Sequence, residues 1–277
     1  MKRQSGIRFG MVQGRLIQAP PGHLQWFPQN FWESEFFIAS AVGIDYIELI
    51  AERSNNDKNP VWSDAGIERI KELTQRNGMS LHALCNDYVV DHALPKSTEV
   101  LEQNMRLLDR GKLLGCEKYI LPLFEHSELT ADNAGDYLGP LRAIADKAQE
   151  CGMVVCLETI LDGAQLIDLL DRLRHPNIST VYDTGNRVAF GHDLPGDIRL
   201  LGRSRIAHVH IKDKNADNQN VLLGTGLVNF KTVFEALANI GYDGPYTFET
   251  QRGRDPVRTA RYNIEVVSFF RHEALGR

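Results

Sequence analysis

The chain has 277 residues, 43% hydrophobic and 24% charged, with a formal net charge of −5 and a pI near 6.0. Such a composition builds a large core, and it excludes a global field that would draw the chain to nucleic acid or an acidic membrane. No segment reaches the roughly eighteen consecutive apolar residues of a spanning helix, so small molecules are the expected partners.

Cys85, Cys116, Cys151 and Cys156 form no CxxC pair. Cys156 sits in an apolar strand and Cys116 beside a helix-ending glycine, so buried, reduced thiols and a cytoplasmic setting are expected. The first residues, MKRQSGIRFG, lack the apolar run of a signal peptide.

A helical segment, a glycine and a short apolar strand recur as AVGIDYIELI, RNGMSLHALC, LLGCEKYILPL, ECGMVVCLE and NIGYDGPYTFE. Glycine past a helix permits the left-handed turn that returns the chain to a sheet. The rhythm implies βαβ units and a parallel sheet with right-handed crossovers.

In chain order, strand 1 covers roughly 7–12, followed by a long Pro- and Gly-rich loop, QGRLIQAPPGHLQWFPQN. Helix 1 (near 31–42) leads to strand 2, ending at Glu48. Helix 2 starts near Ser63 and places Ile67, Ile70 and Leu73 on one face. Strand 3 holds His82 and Cys85, followed by Asn86 and Asp87. Helix 3 (about 97–114) precedes strand 4 (118–123), and Glu125 and His126 follow. Thr130 is the expected N-cap of helix 4. Strand 5 is 153–158, and helix 5 carries Leu166, Leu169, Leu170 and Leu173. Pro195 fits the first turn of helix 6, and strand 7 is 206–211. Asn229 caps helix 7; strand 8 is 246–249, and a last helix covers about 254–270. Eight strand–helix pairs with no linker predict an α/β fold, one (β/α)8 barrel domain over 1–277.

Four consecutive strands, 5 to 8, end in Glu158, Asp183, His210 and Glu249, separated by 25, 27 and 39 residues. A lone Glu after a strand is ordinarily solvated or a helix cap. Four ligand types at one depth converge if the strands are parallel neighbours, and three carboxylates with an imidazole suit one divalent ion: Mn2+, Co2+, Mg2+ or Zn2+. Alternation puts Val154, Cys156 and Glu158 in the lumen, and likewise Ile206, His208, His210 and Lys212. His208, deeper, reads as a hydrogen-bonded core residue. Glu48, His82 and His126 lie near strand ends 2, 3 and 4, across the mouth, where substrate contact and plain surface polarity compete. Arg15, Arg187, Lys212, Lys214, Arg252 and Arg254 fall at or after strand ends and could grip a phosphate.

The segments Asp183-Thr184-Gly185-Asn186, His208-Val209-His210-Ile211-Lys212-Asp213, and Gly241-Tyr242 through Phe248-Glu249 resemble the xylose-isomerase-like barrel superfamily. Its members include sugar isomerases, epimerases, inosose dehydratases and endonuclease IV, and the chain is most similar to the pentulose-phosphate 3-epimerase branch. The resemblance implies that Glu158, Asp183, His210 and Glu249 bind the metal. It also implies a substrate contact at Asn186, where free-ketose epimerases have His; they have Arg at the position of Ala216. Both departures point toward sugar phosphates.

The expected function is a metal-dependent ketose or ketose-phosphate 3-epimerase or isomerase. Glu158 and Glu249 would transfer protons at C3, with Arg15, Glu48, His82, Asn186, Lys212 and Arg252 around the substrate. Rival readings are an inosose-type dehydratase, a nuclease, against which the negative charge argues, and a silent binding barrel. No nucleic acid or membrane partner is expected; a homodimer or homotetramer through the outer helices is.

Overall fold

In the computed structural model, residues 6–276 are described; residues 1–5, part of the stretch read for a leader, and 277 lie outside them. Strand and helix alternate as β1 (Phe9–Val12), α1 (Trp32–Val42), β2 (Tyr46–Ala51), α2 (Asp64–Arg76), β3 (Ala83–Asn86) and the short α3 (Tyr88–Asp91). Next come α4 (Thr98–Leu114), β4 (Lys118–Pro122), α5 (Ala134–Glu150), β5 (Val154–Glu158), α6 (Gly163–Leu173) and β6 (Ile178–Asp183). The short α7 (Thr184–Ala189), then α8 (Leu194–Arg205), β7 (Ile206–Ile211), α9 (Phe230–Asn239), β8 (Tyr246–Phe248) and α10 (Pro256–Ala274) complete the ring. The eight strands pair in sequence order into a closed, parallel barrel.

Local chemistry sets the boundaries. Ser63 Oγ accepts from Gly66 N to open α2, and Ser97 Oγ accepts from Val100 N to open α4. Asp162 and Gln165 form a capping box on α6, Pro195 lies in the first turn of α8, and Asn229 caps α9. Gly43 and Gly115 end α1 and α4 in the left-handed conformation, as the recurring glycine pattern requires. Thr130 does not cap a helix: it pairs with Asn133 in a turn, and α5 begins beyond them.

Alternation along the strands makes two cores. Val12, Tyr46, Ile50, Ala83, Cys85, Ile120, Cys156 and Val181 fill the lumen, while a larger apolar shell joins strands to helices. Position 10 requires glycine because the Tyr46 ring occupies the space a Cβ would need. All four cysteines are buried and unpaired.

Three expectations about lumen positions need correction. β2 continues three residues past Glu48, so Glu48 is mid-strand rather than at the rim. His82 precedes β3, at the opposite, amino-terminal end of the barrel. Thr180 pairs with Ile206 but Val181 with His208, so β7 carries one extra residue there. That irregularity turns Ile206 into the outer core and Ala207 toward the lumen cluster, contrary to strict alternation.

Candidate active site

The carboxyl ends of β5 to β8 bring four ligand types together. Glu158 ends β5, Asp183 ends β6, His210 is the penultimate residue of β7 and Glu249 directly follows β8. One ligand atom from each lies within 4.8 Å of the others. His210 Nδ1 is 3.2 Å from Glu249 Oε2, 3.8 Å from Glu158 Oε2 and 3.9 Å from Asp183 Oδ2. It is buried and makes no hydrogen bond of good geometry among the described residues.

Beneath it, His210 Nε2 lies 3.1 Å from Glu48 Oε1 and 3.3 Å from Oε2. Glu48 Oε2 also meets His208 Nε2 at 2.9 Å, and Thr247 Oγ1 completes that contact. Burial raises the Glu48 pKa, but His210 and His208 outweigh it and bring it down to about 2. Burial lowers the His210 pKa, but Glu48, Glu249 and Glu158 outweigh it and hold it well above its ordinary value. An ionised Glu48 only accepts, so each Nε2 carries its hydrogen, and Nδ1, facing the acids, holds the proton that a bound cation would displace. Glu48, His208 and His210 could themselves hold an ion by proximity, yet they already satisfy one another.

The charges fit a divalent cation. Four buried or nearly buried carboxylates (Glu48, Glu158, Asp183, Glu249) face two cations, Lys212 and Arg15. With the Nδ1 proton of His210 displaced, one divalent ion would bring the group to neutrality, which a low-dielectric site favours. The same excess of negative charge acts on protons. Burial first, then the Glu249 carboxylate, pushes Glu158 up to about 8. Burial also raises Glu249, but Lys212, His210 and Arg15 outweigh it and hold that carboxyl well below its ordinary range.

Above the quartet a cavity of about 550 Å³ is lined by Glu48, Glu158, Asn186, His210 and Glu249. Cys85, Asp87, Phe124 and the 22–25 segment of the loop after β1 complete its lining. Asn186 Nδ2 donates to Glu158 Oε1 at 2.8 Å. Arg15, fully buried, donates to Thr250 O, Gln25 Oε1 and Glu249 Oε1. Lys214 reaches the cavity and bonds Asn218 Oδ1.

Other expected contacts lie elsewhere. His82 is buried against Tyr46 and His208, below the site. Arg252 donates to the carbonyls of Gly14, His23 and Leu24, so it braces the loop after β1 rather than meeting a ligand. Arg187 lies over the Tyr182 ring and bonds Leu161 O, while Arg254 is exposed. Lys212 is behind the carboxylates, outside the cavity lining. His126 sits in an exposed turn.

Asp87 is the residue that strand patterning named without assigning. It directly follows β3, lines the cavity, and leaves Oδ2 without a hydrogen-bond partner among the described residues. Burial pushes it up to about 6. Its depth, one residue past a strand as for Glu249, was the available signal.

Residues 36–270 match the family described as Xylose isomerase-like TIM barrel. The chain belongs to this family. It is 26% identical to a D-psicose 3-epimerase of Ruminiclostridium cellulolyticum, over 79% of this chain and 80% of that one. An inosose dehydratase of Geobacillus thermodenitrificans is 28% identical over 54% of this chain and 58% of that one. The solved IOLI protein with a zinc atom superposes with a TM-score of 0.71 at 18% identity, covering 97% and 98% of the two chains. With relatives of this kind, the chain is an enzyme. No helix among the described residues is long and apolar enough to cross a membrane.

Proposed function

We propose that the chain is a divalent-metal-dependent 3-epimerase of a ketose or ketose phosphate. The observation that carries the reading is the buried, unpartnered Nδ1 of His210 facing Glu158, Asp183 and Glu249 across 3.2 to 3.9 Å. The likeness to a ketose 3-epimerase over four-fifths of the chain supports it. Glu158, Asp183, His210 and Glu249 would hold the ion, whose chemistry is to polarise a carbonyl and acidify the adjacent C–H.

The chain's own groups supply the rest. Glu158 and Glu249 would accept and return the C3 proton, and their environments already differ. Glu249 is held ionised by Lys212 and Arg15, whereas Glu158 is hydrogen-bonded by the Asn186 amide, touches no ammonium or guanidinium among the described residues, and retains a higher proton affinity. Carboxylates with separated pKa values suit acid and base roles. Asn186 orients Glu158, Arg15 orients Glu249, and Glu48 fixes the His210 tautomer. Of the six cations read for phosphate binding, Lys214 alone both lines the cavity and pairs with no carboxylate among the described residues. It is the group that would receive a phosphorylated substrate.

The test is a panel of ketoses and ketose phosphates, with Mn2+ or Co2+ added, followed by NMR in deuterated solvent. New 3-epimers carrying solvent deuterium are expected; no epimer from any member rejects the reading. The inosose dehydratase relative makes loss of water the second reading. A product lighter by one water would establish it and reject epimerisation.

A further inference from the structure

We infer that Lys212 is a built-in counter-cation of the metal site: its ammonium holds Asp183 and Glu249 together and, by competing for them, sets how tightly they bind a divalent ion. The inference rests on the metal quartet proposed above and assigns a role to a residue outside it.

Lys212 Nζ lies 3.0 Å from Asp183 Oδ2, 2.7 Å from Glu249 Oε2 and 3.4 Å from Asn186 Oδ1. The residue is buried, at 3% exposure, and does not line the cavity, so its side chain is placed to act on the carboxylates rather than on a ligand. An ammonium in such a place is tolerable only with charge and hydrogen-bond partners close by.

The segment from Asp183 to Asn186 is fitted to this lysine residue by residue. Asp183 and Asn186 meet the ammonium. Thr184 Oγ1 donates to Lys212 O at 2.6 Å and lies 3.0 Å from Lys212 N, which fixes the backbone of the lysine. A Cβ on Gly185 would stand 2.7 to 3.0 Å from Cγ, Cβ and Cδ of Lys212, so the aliphatic stem passes over bare backbone. Four consecutive residues thus accommodate one buried lysine, two of them at its ammonium.

That placement has two consequences. Without an ion, Lys212 offsets the mutual repulsion of Asp183 and Glu249. With one, it is a like charge against the bound cation, and it opposes overly tight retention. A lysine that serves folding alone has the first consequence without the second.

The experiment uses chelator-stripped protein, titrated with Mn2+ by calorimetry and melted with and without Mn2+. Lys212→Met is expected to bind Mn2+ at least about tenfold more tightly than wild type. Its metal-free form should melt several degrees lower, with the deficit recovered at saturating Mn2+. Lys212→Gln, neutral but polar, should show the same directions and serves if the Met variant is insoluble. Affinity equal to or weaker than wild type overturns the inference, as does failure of both variants to fold with Mn2+ present. A wild type that binds no Mn2+ overturns the quartet itself, which distinguishes that failure from this one.

Discussion

His210 Nε2 stands 3.1 Å from Glu48 Oε1, and this contact turns the opposite ring nitrogen toward three carboxylates. Glu48 reaches His210 from β2, on the far side of β1 and β8 from β7, so the buttress crosses the lumen. A neutral amide at position 48 keeps the shape but loses the charge that fixes the imidazole tautomer. Glu48→Gln is therefore expected to weaken Mn2+ binding by about 10- to 100-fold, the usual effect of losing a partner behind a ligand histidine. Calorimetry showing wild-type affinity would refute the assigned role.

Asp183 has two tasks that one substitution separates. Its Oδ1 accepts from Asn186 N at 2.6 Å to cap α7, and Oδ2 faces the quartet. Asparagine retains the capping oxygen but removes a negative charge from the proposed cation site. Asp183→Asn should keep its circular dichroism and lose bound metal by on the order of 10²-fold in affinity. Full metal occupancy by elemental analysis would remove Asp183 from the ligand set.

The barrel and the quartet were legible because both depend on short-range regularities. The helix–glycine–strand rhythm marks the βα units, and a ligand type at each of four strand ends marks the site. Contacts across the lumen left no such trace. Glu48 and His210 are 162 residues apart, and nothing local says that a mid-strand Glu faces a particular His. Arginines after strands are ambiguous for a similar reason. Arg187 and Arg252 have the right positions, but backbone carbonyls and the Tyr182 ring claim their guanidinium groups. His82 lies at the start of a strand whose carboxyl end is Asn86, so it belongs to the opposite end of the barrel from the site.

That misplaced histidine gives a pH prediction. His82 is buried, and burial, followed by His208, lowers its pKa from 6.5 to about 3. The folded state thus binds a proton less readily than the unfolded state, so stability rises with pH across that interval. Stability is expected to be complete above about pH 6.5 and to fall as pH drops toward 3, with a limiting slope of about 1.4 kcal/mol per pH unit. Denaturant titrations from pH 4 to 7 should show this slope reduced in His82→Leu. An unchanged pH dependence in the variant would assign the acid sensitivity to other groups.

The two glutamates permit the most direct test of the proposed chemistry. Epimerisation at C3 passes through a planar intermediate that needs a proton removed from one face and delivered to the other. Glu158 comes from β5 and Glu249 from the end of β8, so the pair reaches the site from separate arcs of the barrel. Their surroundings are also unequal: Lys212 and Arg15 contact Glu249, whereas the Asn186 amide contacts Glu158. A bound cation lowers the proton affinity of both, and the inequality survives because it comes from fixed neighbours. Glutamine at either position keeps an oxygen ligand and removes the proton acceptor. Glu158→Gln and Glu249→Gln, each assayed with metal occupancy verified, should lose turnover by on the order of 10²-fold or more. At least one should still exchange the C3 hydrogen with deuterated solvent, because removal and return on a single face need only one carboxylate. Near-wild-type epimerisation by both metal-loaded variants would exclude the two-glutamate mechanism.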